Sequence, residues 1–429
     1  MSTTADRHLP VTSRNVRLVC AAAIVAIGLA SVVAHALEYR GVERFSKDFA
    51  LDYSSSKAFI HGDDPYAPIR SLLERYVHPP PSVLAHNVVG GANWHTPFKV
   101  VLTAPLTVLP FQAAGIVWLL LSAGCIVAAG VLLGAELGWS RGASIVAGIG
   151  LLALPVVQID LSAGQLNGPM LLLLIMSWRG LRRGRDVASG LTLGALVALK
   201  FFPALLALPL VGSRKIRPVV IAAACALVLT GLGSAALGVE HTKSFVHAGQ
   251  GAEGFDYWDA SPANIAWWGI ATRWLVPNGW VQGADLRSLG FAAAFAGILV
   301  LLVTALRPRA GLSREPFIAA APLMLLIWPV VWIHYLVLAI PWVMICGVRV
   351  FRRGSAGLIA VFGLLAVVMM MGFPPGVAPL DQTSGVQVAL LYQLPTYALL
   401  GAVVIERAAA GKATDPVLDR LAPDGAGRS

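Results

Sequence analysis

A chain of 429 residues that is 57% hydrophobic and only 13% charged, with a mean hydropathy of +0.73, is too apolar for a soluble globular protein. Its composition selects an all-α polytopic membrane protein, because lipid forbids open sheet edges. The net charge of +10 does not point to nucleic acid, since Lys and Arg sit in short clusters between apolar runs, as at the cytoplasmic ends of spans.

In chain order, Arg7, Arg14 and Arg17 precede the first apolar run at 19–37 and place residues 1–18 in the cytoplasm. That run is long enough to span and lacks a small-residue cleavage site, so it reads as a retained helix. Residues 38–99 then form a long outer loop, in which 54–60 and 69–77 have the pattern of short interfacial helices. Spans are expected at 113–133 and 143–161, followed by the polar turn SAGQLNGP at 162–169 and a descent through 170–178 to the basic loop 179–185. The limbs 187–199 and 201–211 are each shorter than a span and read as broken helices meeting at Lys200. After 219–237 comes a second outer loop, 238–287, then limbs at 289–306, 317–332, 335–348, 358–371 and 386–405, and a cytoplasmic tail at 406–429. The expected architecture is a bundle of about 12 transmembrane or half-spanning helices within 19–405, with every dense basic cluster inside.

The four cysteines, Cys20, Cys125, Cys225 and Cys346, fall inside apolar runs without metal-ligand spacing and are expected to be buried small hydrophobes. No Walker loop, Rossmann glycine pattern, HExxH or paired CxxC occurs.

On this topology Asp48, His95, Asp160, Gln165, Asn167, Lys200, Asn264, Arg273 and His334 all fall on the outer side, and ionisable residues at membrane depth mark functional cavities. Asp48 is suited to act as a general base; the plainer reading is a solvated acid beside Lys47. Asp52, one helical turn later, could share its site, whereas Asp63 and Asp64 in HGDDPYAP are turn formers. Lys200, in ALVALKFFPALL, is either a snorkelling lysine or the cation for a lipid-linked phosphate. His334, in WIHYLVLAIP, is either a hydrogen-bonded structural residue or a participant in the chemistry. The amides of Gln165, Asn167 and Asn264 could bind a sugar or satisfy backbone groups at helix breaks, and the tryptophans from Trp258 to Trp280 could form an interfacial belt or stack on sugars.

The segments DFALDYSSSKAFIHGDDPY, HTPFKVVLTAPLTVLPF, GQLNGPMLLLL, GLTLGALVALKFFPALLALPL, SPANIAWWG and WIHYLVLAIP occur in the order in which glycosyltransferase family 87 carries them. The chain resembles that family of GT-C type membrane enzymes, which includes the polyprenol-phosphate-mannose-dependent α-1,2-mannosyltransferases of mycobacterial glycolipid synthesis and a related arabinofuranosyltransferase. The resemblance implies that Asp48 is the general base, that Lys200 binds the donor phosphate, and that His334 is a second catalytic residue. It implies a polyprenyl-phosphate sugar as donor, a glycolipid or cell-envelope glycan as acceptor, inversion at the anomeric carbon, and a site on the extracytoplasmic face of a bacterial plasma membrane. No metal or other cofactor enters that scheme. Asp52, His95, Gln165, Asn167, Asn264 and Arg273 are the expected sugar- or acceptor-binding residues. Mannose is the commonest donor in the family, and arabinofuranose is the alternative. Relatives often have Tyr-Pro-Pro where this chain has His95, Thr96 and Pro97, and many have a tyrosine in place of Asp52, departures that fall on the donor pocket.

A lipid-linked sugar flippase or transporter would also be polytopic with broken helices. Transporters place their polar site near the midplane and often carry inverted repeats. This sequence shows no repeat and gathers its polar residues at one face.

Overall fold

A computed structural model describes residues 11–41, 44–45, 48–81, 93–250, 264–266, 269, 316–328, 330–353, 356–371, 394, 397–398 and 401. The described chain is helical. Its elements are α1 (Val11–Glu38), α2 (Asp48–His61), α3 (Ile69–Tyr76), α4 (Pro97–Thr103), α5 (Phe111–Glu136), α6 (Arg141–Leu151), α7 (Pro155–Ala163), α8 (Asn167–Arg182), α9 (Asp186–Leu199), α10 (Ala207–Gly212), α11 (Ile216–Leu237), α12 (Val239–Gln250), α13 (Pro316–Ile327), α14 (Ile340–Arg353) and α15 (Ala356–Met371). Tight 3-10 turns precede α5, α10 and α14, at Ala104–Val108, Phe202–Leu206 and Ile333–Ala339.

Among the described residues four helical stretches are long and apolar enough to cross a membrane: Asn15–Glu38, Phe111–Glu136, Ile216–Leu237 and Ile333–Phe351. A fifth forms if α6 and α7, which meet at a 60° bend, make one broken span. The chain is therefore a membrane protein. The single run expected at 143–161 is two helices because Pro155 denies α6 a continuing amide and starts α7 as its first residue. Shorter apolar helices, including Pro97–Val108, Asp186–Leu199 and Phe202–Gly212, supply the half-length pieces.

Small residues let the helices close on one another, the usual solution where lipid removes the hydrophobic drive to associate. Gly130 and Gly134 on α5 meet Gly148 and Ser144 on α6, two small residues four apart on each side; a Cβ on Gly148 would stand 2.6 Å from the Val127 carbonyl oxygen. Gly194 on α9 packs in the same manner against Ala222 and Cys225 of α11. Helices α1 and α11 leave most of their apolar surface outside the bundle, with Val19 and Leu227 each largely exposed, which is surface for lipid to cover. The cysteine expectation needs correction: only Cys346 is buried, Cys125 and Cys225 are half-buried, and Cys20 is exposed on the apolar flank of α1.

The segment expected as a short interfacial helix at 54–60 is instead the second half of α2, a helix that buries Phe49, Ala50, Asp52, Tyr53, Ser54, Ser55, Ser56 and Ala58. Its serines make that burial tolerable by bonding locally or across: Ser54 Oγ donates to the Leu51 carbonyl at 3.0 Å and Ser56 Oγ to the Val100 carbonyl at 2.9 Å. Phe49 stacks on Phe111 and Trp118 at ring-centroid distances of 6.2 and 5.8 Å, which fixes the start of α2 against α5. Asp64 behaves as the turn former expected, its carboxylate accepting the Tyr66 amide at 2.9 Å, and Asp63 ties back to Arg75 at 2.9 Å and to the Tyr76 hydroxyl.

Candidate active site

Asp48 is the first residue of α2 and is half-buried. Its carboxylate accepts a hydrogen bond from the side-chain amide of Gln165. Burial pushes the Asp48 carboxyl up from the ordinary carboxylate value; the Gln165 bond and the charges of Lys200 and Lys99 oppose that rise, and Asp52 adds to it. Asp48 is therefore a carboxylate of increased basicity beside two cations.

Gln165 reaches Asp48 because α7 ends on Gly164 in the left-handed conformation, φ +70°. A Cβ there would stand 2.7 Å from the Phe49 Cβ, so a glycine is what lets this turn lie against α2. The Trp118 indole N–H donates to the Gly164 carbonyl at 2.9 Å and holds the turn from the α5 side. The GQLN turn is thus locked on three sides before its amides act.

Three residues around that turn form a second polar layer. Asn167, at the start of α8, donates to the Asp160 carboxylate at 2.7 Å and approaches the His334 carbonyl at 3.4 Å. Asp160 and Asn167 are fully buried, and Gln165 is nearly so. Four atoms here are buried with no hydrogen-bond partner among the described residues: Asp160 Oδ2, Gln165 Oε1, Asn167 Oδ1 and His334 Nε2. Two of the four, the amide oxygens of Gln165 and Asn167, are obligate acceptors, and an ionised Asp160 adds a third, so the group they suit is one rich in hydroxyl donors.

Lys200 ends α9, in extended backbone at φ −149°, ψ 138°. Pro203 follows and keeps the helix from resuming in register. The side chain is buried: its ammonium donates to the Tyr335 hydroxyl and lies 4.1 Å from that ring's centroid. Tyr335 in turn stacks on Phe202 at 5.3 Å and takes the His334 ring edge-on at 4.7 Å. Lys200 thus points inward onto an aromatic pair and does not snorkel.

Asp52 and His95 come together at one network and bring a third residue with them. His95 Nδ1 lies 2.5 Å from Asp52 Oδ1, and Lys99 Nζ lies 2.6 Å from Asp52 Oδ2 and 2.8 Å from His95 Nδ1. Burial opposes ionisation of Asp52, but His95 and Lys99 hold its carboxyl well below the usual carboxylate range. Burial likewise keeps the His95 imidazole neutral, moving it down to about 4 against the pull of Asp52. The His95 backbone amide is bound by the Asn93 side chain at 3.0 Å, and Asn93 in turn donates to Ser55 of α2 at 2.9 Å.

Asn264 is also buried, but its side-chain oxygen is taken by the backbone amides of Ala266 and Val331, at 3.1 and 3.0 Å. It pins a short antiparallel bridge to Trp332, as the structural alternative expected. Arg273 and the tryptophans at 258–280 lie outside the described residues. Among the described residues no group of three or more His, Cys, Asp or Glu side chains is placed to hold a metal ion.

Lys99 and Tyr335 went unassigned in the sequence, and both belong to this site. Lys99 was legible as a lone cation one helical turn after His95, in the apolar run that Thr96 caps and Pro97 opens.

The model of glycosyltransferase family 87 matches residues 94–329, more than half of the chain. Neither the curated proteins nor the solved structures contain a match.

Proposed function

The chain belongs to glycosyltransferase family 87, and from that premise we propose that it moves a sugar, mannose by our reading, from a polyprenyl-phosphate donor to a glycolipid or cell-envelope glycan, with inversion. The observation that carries this reading is the convergence of a basic carboxylate, Asp48, a buried cation, Lys200, and the orphaned acceptors of Asp160, Gln165 and Asn167 at one end of the bundle.

In the reaction, Asp48 takes the proton of an acceptor hydroxyl. The oxygen attacks the anomeric carbon as the bond from that carbon to the phosphate oxygen breaks, and the electron pair leaves with polyprenyl phosphate. Lys200 stabilises the charge that grows on the leaving phosphate, and its burial makes that interaction stronger than it would be in water. His334, whose Nε2 is buried without a partner among the described residues, is a second group for the same phosphate or for a sugar hydroxyl. The orphaned acceptors of Asp160, Gln165 and Asn167 receive the hydroxyls of the sugar ring. A donor of this kind is reached from lipid, which agrees with Phe201 standing exposed next to Lys200. The basic clusters between apolar runs support a plasma-membrane enzyme whose site faces away from the cytoplasm.

The test is transfer by purified protein in nanodiscs, supplied with radiolabelled polyprenyl-phosphate mannose and an envelope glycolipid extract, with Asp48→Asn alongside. Transfer by the native protein and its loss in the variant are expected. Transfer only from the arabinofuranosyl donor would replace mannose, and undiminished transfer by the variant would remove Asp48 as the base.

A further inference from the structure

Both oxygens of the Asp52 carboxylate are spoken for, one by His95 Nδ1 at 2.5 Å and the other by Lys99 Nζ at 2.6 Å. Lys99 is 1% exposed and Asp52 4%, so the pair is formed in a setting where an unpartnered charge would be costly. Such pairs add little net stability over an apolar replacement, and their better-attested use is to fix one arrangement among several. Here the elements joined are the ones that carry the chemistry. Asp52 sits one turn after Asp48 on α2, with both residues on the same face. Lys99 and His95 flank the start of α4, whose capping Thr96 donates through Oγ1 to the Ala198 carbonyl at 2.6 Å, two residues before Lys200.

We propose that the Asp52–His95–Lys99 cluster is a positioning device that sets the separation of Asp48 from Lys200 and offsets the negative charge that Asp52 would otherwise place near Asp48, with Lys99 as its essential member. The link runs from Asp48 along one turn of α2 to Asp52, across to Lys99, back through Thr96 to the end of α9, and so to Lys200. No part of that route needs Lys99 to touch substrate. Its ammonium is occupied by Asp52, and with Nδ1–H given to Asp52 the neutral His95 ring leaves Nε2, at 3.2 Å, to accept from it. The charged and titratable groups acting on Asp48 are Asp52 from its own helix, Lys99 from α4 and Lys200 from α9, while Asp160 from α7 and Tyr335 from the turn before α14 feel its charge in return. Lys99 acts on Asp48 in the direction that favours the ionised, proton-accepting form.

The inference rests on Asp48 being the base, so the experiment reads Lys99→Met, Lys99→Arg and Asp48→Asn together, as pH profiles of transfer in nanodiscs. Lys99→Met is expected to lower kcat by about tenfold or more, since displacement of a catalytic group by about 1 Å has effects of that order, with donor KM changing by less than about threefold. Its acid limb moves to higher pH, because the ammonium that favoured the Asp48 carboxylate is gone, whereas Lys99→Arg keeps the limb where the native protein has it. Native kcat in Lys99→Met, or an equal loss at every pH in both lysine variants, overturns the proposal and leaves the cluster a pin of the fold. Activity surviving in Asp48→Asn fails the base assignment instead, so the two failures are distinct. Should Lys99→Met not fold, the double variant Asp52→Asn/Lys99→Met removes both charges without stranding a carboxylate. It is expected to fold and to remain about tenfold slower than the native protein, and native kcat in it is equally fatal to the proposal.

Discussion

The side-chain amide of Gln165 donates to the Asp48 carboxylate across 117 residues of sequence, joining the first helix after the N-terminal span to the turn between α7 and α8. One amide group thereby does two things: its nitrogen favours the ionised form of Asp48, and its oxygen, buried without a partner among the described residues, is left for a ligand. Gln165→Leu keeps the bulk and removes both. Burial already pushes the Asp48 carboxyl up, and without Gln165 only the charges of Lys200 and Lys99 resist it, so the acid limb of transfer is expected at higher pH than in the native protein. At neutral pH kcat should fall by about tenfold, the cost of roughly one charge-assisted hydrogen bond. A pH profile that does not move would mean that Gln165 only shapes the turn.

His95 makes a separate prediction about stability. The unfolded chain takes up a proton on this imidazole near 6.5, its ordinary value, while burial makes the folded protein refuse it until about 4. Over that window the unfolded state binds more protons, so stability falls as pH is lowered from about 6.5 to about 4. Asp52 works on a different range: its carboxyl is held low, so its contribution is intact until pH drops below the usual carboxylate range. Melting in detergent across pH 4–7 should therefore show a slope that His95→Asn flattens, and an equal slope in the variant would place the titration elsewhere.

At the α5–α6 seam, Gly148 shares the closest approach with Gly130, since its absent Cβ would sit 2.6 Å from a backbone oxygen that cannot rotate away. Gly148→Val is expected to cost about 1–3 kcal/mol, in the range of overpacked cores. Because α6 leads through the 60° bend into α7, the shift should reach Asp160, and donor KM should rise along with the loss of thermal stability. A variant that melts early but binds donor normally would show that the bend absorbs the displacement.

Much of this was readable in the sequence for physical reasons, and the rest was not for equally physical ones. Apolar runs of about 20 residues announce spans whatever their partners, so α5 and α11 were found within a few residues. The interruption of such runs by Asp160, Lys200 and His334 is visible for the same reason, and the structure brings Asp160 and the His334 carbonyl to Asn167 of the GQLN turn and Lys200 to Tyr335, the neighbour of His334. Burial of α2 was not visible, because its serines and aspartate read as polar until their partners, Val100 and Lys99, are brought across from α4. Asn264 shows the limit from the other side: an amide at a helix break looks the same in sequence whether it faces a sugar or, as here, two backbone amides.

Lys200 and Tyr335 carry the last prediction. The ammonium donates to the Tyr335 hydroxyl and also lies over the ring, so the tyrosine holds the lysine by two interactions of different kinds. Tyr335→Phe removes only the first, because the ring keeps its stack on Phe202 and its face toward the cation. If Lys200 binds the donor phosphate, freeing its ammonium from a fixed direction should raise donor KM by about tenfold, the value of one hydrogen bond to a charged group, with the protein still folded. Lys200→Met removes the charge itself and should cost far more, in kcat as well as KM, because the leaving phosphate then has no cation at its side. Steady-state kinetics on both variants separates the two effects. Unchanged donor kinetics in Lys200→Met would make the pair a structural clamp between α9 and the turn before α14, and the leaving group's charge would have to be met by another residue.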